Sequence, residues 1–214
     1  MAGGEGQGGD KERMIYLYHG VSRIFDGYIV GIGLGALLVI ILVTIILASD
    51  DNVAALIHNF GIFLIIIGVI GSPFTFFFMY RGFTYLAMAD RGRYGIGAFG
   101  AICSLALSPA LIPEGVLLLV LSISYFIFIV MSVVTIIVGF VFELLMYIAL
   151  YRLGNYFNMG YLTAGIIISL FATVLSAIPV IEIVGGIIGL IGFVLILVGL
   201  NEIKKSLERI ISSG

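Results

Sequence analysis

Charge is scarce in this chain. Only 10% of its 214 residues are Asp, Glu, Lys or Arg, against about 25% in a soluble domain. Tryptophan is absent, and cysteine occurs once, as Cys103. One cysteine excludes an intramolecular disulfide and a cysteine-rich metal site. The two histidines, His19 and His58, are expected on opposite sides of a membrane, which excludes a histidine pair holding a metal or haem. A net charge of −2 leaves no basic surface for nucleic acid. H-E-x-x-H, G-x-S-x-G, phosphate-loop and C-x-x-C patterns are all missing, so the chain carries no enzyme signature and implies no cofactor.

Apolar residues take the place of charge: 62% of the chain is hydrophobic and the mean hydropathy is +1.27. Runs of 18 or more such residues read as membrane spans, because about 20 helical residues cross a hydrocarbon core of about 30 Å. Six runs fit, over 27–48, 54–80, 94–112, 115–151, 160–178 and 183–200. The expected fold is an all-α, polytopic membrane protein of three tandem helical hairpins, with a transmembrane domain over 27–201. A disordered cytoplasmic tail is expected over 1–13, which has nothing to bury, an interfacial segment over 14–26, and an amphipathic cytoplasmic tail over 202–214. The first residues lack an apolar signal-peptide core, so the first span is expected to act as an uncleaved insertion signal. Ser72-Pro73 predicts a kink in the second span. The stretch 115–151 would be about 55 Å long as one straight helix, so it is read as tilted or bent.

Lys and Arg are absent from alternate connections. Lys11, Arg13 and Arg23 precede the first run; Arg81, Arg91 and Arg93 follow the second; Arg152 follows the fourth; Lys204, Lys205 and Arg209 follow the sixth. The intervening connections carry only acids: Asp50 and Asp51, Glu114, and Glu182. Short basic segments stay on the cytoplasmic side, so the pattern predicts a cell-membrane protein with both termini cytoplasmic. Ten of the eleven tyrosines, all but Tyr125, fall at the same basic ends, where a phenol ring can be buried while its hydroxyl stays wet. Tyr28, Tyr94 and Tyr161 open the odd spans, and Ile112-Pro113 and Ile178-Pro179 close the third and fifth. That spacing is read as a parallel duplication of a two-helix unit.

Small residues form stripes at Gly27, Gly31 and Gly35, at Gly165, Ser169 and Thr173, and at Gly185, Gly189 and Gly192. Such stripes are first of all surfaces for close helix packing, within one subunit or between subunits. Gly95, Gly97 and Gly100 match G-x-G-x-x-G, but a dinucleotide loop needs a preceding strand and a suitably placed acid. The spacing is therefore read as chance in a Gly-rich helix. Ionisable groups inside a membrane mark transport pathways, and none is expected at the middle of a span. Glu143 in FVFELLMY is the best candidate, as a gating or coupling acid, an interfacial carboxylate or one half of an ion pair; Arg152 lies a little over two helical turns away, and a base from another hairpin is the expected partner. Arg91 and Arg93 are candidate contacts for acidic lipid headgroups. His58 and Glu182 are placed near the outer surface, and Asp50-Asp51 is a weak cation signal.

The last hairpin, AIPVIEIVGGIIGLIGFVLILVGLNEI, resembles the repeating Gly/Ile hairpins of archaeal multi-pass membrane proteins of unknown function. The resemblance implies a location and a lineage and carries no activity or site residues. Three functions stay open. The first is a structural or accessory subunit, in contact with lipid and with other membrane subunits or copies of itself. The second is a small-solute channel or transporter, and the third a lipid-modifying enzyme. The first is preferred because no polar group is expected at mid-membrane.

Overall fold

The computed structural model describes residues 5–49, 53–121, 125–176 and 182–213, and all the regular structure among them is helical. Eight α-helices follow in order: α1 (Glu5–Ala48), α2 (Val53–Phe74), α3 (Arg81–Ala89), α4 (Arg91–Leu107), α5 (Leu111–Leu121), α6 (Tyr125–Tyr156), α7 (Gly160–Ser176) and α8 (Glu182–Ser213). A π-helical segment, Thr75–Tyr80, joins α2 to α3, and a 3-10 turn, Ser108–Ala110, joins α4 to α5. Among the described residues five helical runs are long and apolar enough to cross a membrane, and α7 is a shorter apolar helix.

Several boundaries differ from the sequence reading. The first helix takes in residues 5–26 without a break, so 5–13 is helical, where composition suggests disorder. Likewise α8 carries straight on through 202–213. Pro73 does not end the second run. Its missing N–H breaks the α-helical ladder, Ser72 Oγ donates to the Gly68 carbonyl at 2.7 Å, and the chain continues one wider turn as a π-helix.

The third run is the largest correction. Pro109 sits in the 3-10 turn and Pro113 in the first turn of α5, a position where backbone N–H groups lack intrahelical acceptors in any case. The helical path therefore passes through both prolines to Leu121. Glu114 is inside a helix rather than in an outer turn, and the next helix begins at Tyr125 instead of near Gly115. Residues 50–52, 122–124 and 177–181 lie outside the described residues, and with them Asp50-Asp51 and Ile178-Pro179.

The helices meet most closely where a glycine lets backbones touch. A methyl group at Gly20 of α1 would come within 2.9 Å of the Gly82 carbonyl of α3, and one at Gly115 of α5 within 2.5 Å of the Gly61 carbonyl of α2. Gly100 of α4 meets the Phe142 carbonyl of α6 in the same way. α7 and α8 form the tightest pair, with Gly165 against Gly192 and Ile196, and Gly199 against Leu162. These approaches gain dispersion energy that lipid cannot compete away.

One apolar core lies at the basic end. It joins Leu17, Val21 and Ile24 of α1, Phe83 and Leu86 of α3, Tyr94 and Ala101 of α4, Leu150 and Leu153 of α6, Leu162 and Ile166 of α7, and Ile196, Leu200 and Ile203 of α8. Tyr18 donates to Glu208 at 3.0 Å, and Lys204 lies over the Phe25 ring, so α1 and α8 are tied at this end. Toward the other end the surface is apolar and open: Ile40 is 63% and Leu47 75% exposed. A soluble monomer rarely exposes such a surface; lipid accepts it at no cost.

Candidate functional site

Glu143 stands on α6 inside the bundle. It faces a cavity of about 450 Å³ lined by six parts of the chain. α1 supplies Gly27, Tyr28 and Gly31; the Pro73 bend supplies Phe74, Thr75 and Met79; α3 supplies Phe83, α4 Ser104 and α8 Phe193. α6 adds Met146, Tyr147 and Leu150.

Local structure explains why these groups converge. Gly27 has no side chain to fill the space beside Phe78 and Met79, where a methyl group would clash, so α1 approaches the π-helical turn closely. That turn adds a residue to the local repeat, which rotates Thr75 and Met79 relative to the α2 face above them. Glu143 and Tyr147 are four residues apart and so lie on one helix face. Tyr28 of α1 lines the same cavity beside them. The result is one carboxylate, two phenols and two small hydroxyls, Thr75 and Ser104, in a cavity otherwise walled by aromatic and aliphatic carbon.

Glu143 does not pair with Arg152. Nine residues separate them, which is about 13 Å along the axis and half a turn around it. Arg152 instead donates from Nη1 to the Arg93 carbonyl at 3.1 Å. Among the described residues the ion pairs are Arg13–Asp90 at 3.2 Å and Arg93–Asp90 at 3.3 Å. Burying a charged group costs free energy unless it is paired or hydrogen-bonded. Glu143 has polar neighbours to offset part of that cost and a cavity through which a counter-charge can approach.

A second acid sits within the helices. Glu114 of α5 accepts a 2.6 Å hydrogen bond from Thr135 of α6. It pins two helices together and lines no cavity described with Glu143. Sequence reasoning missed its place because Ile112-Pro113 looked like the end of the third span.

The remaining candidates fall elsewhere. Gly27 and Gly31 line the Glu143 cavity, whereas Gly35 and its neighbour Gly33 have nothing within 4 Å of an added methyl group. Gly165 and Ser169 face Gly192, Gly185 meets Ser176, and Gly189 lies against Ala172. Gly95, Gly97 and Gly100 are all helical, and the latter two pack on α6. Arg91 is exposed, and Arg93 lies over the Tyr156 ring at 4.7 Å from its centroid. His58 is exposed near the start of α2, and Glu182 is the first residue of α8.

Comparison with protein-family models, curated proteins and solved structures finds no match. The site is thus defined by this chain's own residues.

Proposed function

We propose that this is a multi-pass membrane carrier that takes a small organic cation at Glu143. In this reading six helical runs cross the membrane and both ends of the chain lie on the basic, cytoplasmic side. The observation that carries the reading is the Glu143 cavity. A carboxylate ringed by Tyr28, Tyr147, Phe74 and Phe193 combines charge neutralisation with aromatic faces, the pairing that recognises ammonium groups. Its volume lies in the range of small-molecule sites. The accessory-subunit reading was preferred for want of a polar group at mid-membrane; the polar and aromatic lining gathered around Glu143 supports a carrier instead. The break at Pro73 and the π-helical turn beside the cavity supply a point where α2 and α3 can move relative to one another.

Proteoliposome uptake of tetraethylammonium tests this. Saturable uptake by the wild-type protein that falls at least tenfold in Glu143→Gln is the expected result. Equal uptake in both, or none above protein-free vesicles, contradicts it. A second reading, as an accessory subunit, draws on the outer part of α1, where Gly33 and Gly35 face open space. It predicts a stoichiometric partner after gentle solubilisation, lost on Gly33→Leu.

A further inference from the structure

The basic end carries a second polar cluster, built from three helices, whose notch shares no lining residue with the Glu143 cavity. Arg13 of α1 and Arg93 of α4 both bond Asp90, at 3.2 and 3.3 Å. Both guanidinium groups also lie over the ring of Tyr156, with centroid distances of 5.6 and 4.7 Å. Arg152 of α6 closes the group through its bond to the Arg93 carbonyl. Arg93, Arg152, Asn155 and Tyr156 line a surface notch of about 320 Å³.

Charge does not balance here. Arg13 and Arg93 share the Asp90 carboxylate and Arg152 adjoins them, so two positive charges are left over in this cluster of α1, α4 and α6 side chains. Hydrogen bonding is also incomplete. Arg13 Nε and the hydroxyl of Tyr94, a residue 1% exposed, are buried without a hydrogen-bond partner. Asp90 is already engaged three times, by both arginines and by the Arg93 backbone N–H at 3.1 Å that it caps. It has little left to offer Arg152.

We infer that this notch binds a phosphate-bearing anion, held by Arg93 and Arg152 against the face of Tyr156. Planar guanidinium forks match phosphate oxygens in paired, charge-assisted bonds. The stacked Tyr156 ring fixes the direction of two of the three arginines and so lowers the cost of ordering them. The phosphate belongs either to an acidic lipid of the inner leaflet or to a soluble phosphate. The site depends on the proposed membrane orientation for access to a headgroup, and on nothing in the Glu143 cavity.

Asn155→Asp is the decisive variant. It keeps the Oδ1 that accepts from Thr163 at 3.5 Å and places a negative charge in the notch. Full-length protein is reconstituted in phosphatidylcholine nanodiscs doped with phosphatidic acid, and lipid retained after mild extraction is measured by native mass spectrometry. Inorganic phosphate is tested in parallel by equilibrium dialysis. The wild-type protein should retain phosphatidic acid over phosphatidylcholine. Asn155→Asp and Arg152→Gln should each weaken retention about fivefold, the effect of one basic charge at a membrane surface. Arg209→Gln, whose Nε bonds only the carbonyl of Lys205 in its own helix, should match wild type. Retained lipid without phosphate binding assigns the site to a headgroup; phosphate binding weakened by the same two variants assigns it to a soluble anion. An unchanged melting temperature for Asn155→Asp separates lost binding from lost folding. Equal binding of both probes by wild type and Asn155→Asp overturns the inference, as does equal retention of the two lipids by the wild-type protein.

Discussion

Thr135 reaches from α6 to Glu114 of α5 with a hydrogen bond of 2.6 Å. It joins two helices through a partly buried acid. Removing the donor leaves a carboxylate without that partner, which costs more than the bond itself contributes. Thr135→Val should therefore lower stability by about 1–2 kcal/mol, whereas Glu114→Gln, which keeps an acceptor, should lower it less. Thermal unfolding in detergent checks the order of the two; the reverse order would mean that Glu114 finds its support elsewhere.

The glycines divide into two kinds, and substitution separates them. At Gly192 an added methyl group would meet the Ser169 backbone nitrogen at 2.8 Å and the Gly165 carbonyl at 2.9 Å. Backbone cannot step aside, so Gly192→Ala should destabilise the α7–α8 pair by about 1–3 kcal/mol. Gly35 meets nothing within 4 Å, so Gly35→Ala should leave the protein unchanged or stabilise α1 by up to about 1 kcal/mol. Equal melting temperatures for the two variants would contradict the packing described.

Asp90 caps α4 through the Arg93 N–H and pairs with two arginines. Asn can replace the cap but not the charge. Asp90→Asn should therefore cost at most about 1 kcal/mol, as partly exposed ion pairs contribute little, and the effect should shrink at high salt. Asp90→Ala should add about 1 kcal/mol for the lost cap. A salt titration of the melting temperature distinguishes the two contributions.

Orientation is checked with single cysteines in a Cys103→Ser background. His58 and Ser213 are both exposed, at opposite ends of the bundle. A membrane-impermeant maleimide added to intact cells should label His58→Cys and leave Ser213→Cys untouched. Labelling of Ser213→Cys from outside would reverse the proposed topology.

How much of this was legible in the sequence depended on whether the signal was local. Hydropathy runs and the clustering of Arg and Tyr at span ends are local, and they marked the helices and their common basic end. Proline was misleading. Ile112-Pro113 read as the end of the third span because proline breaks an α-helical bond, yet in the first turn of α5 the broken bond is not needed. That shift moved Glu114 from a turn into a helix. Partnerships across helices were not legible at all. Nothing in the spacing of Gly20 and Gly82, or of Arg13 and Asp90, says that they meet, because contact depends on how separate helices dock. For Glu143, the chain offered a nearby Arg152, and helical geometry puts the two on opposite faces. The residues that do surround it, Tyr28 and Tyr147, looked like members of an interfacial belt.

The Glu143 cavity is the centre of this account, and equilibrium binding of tetraethylammonium to purified protein tests it most directly. Titration calorimetry should show saturable one-site binding to the wild-type protein. Affinity should fall at least tenfold in Glu143→Gln, less in Glu143→Asp, and remain unchanged in Asn155→Asp, which alters only the distant notch. Binding of equal strength to wild type and Glu143→Gln would contradict it.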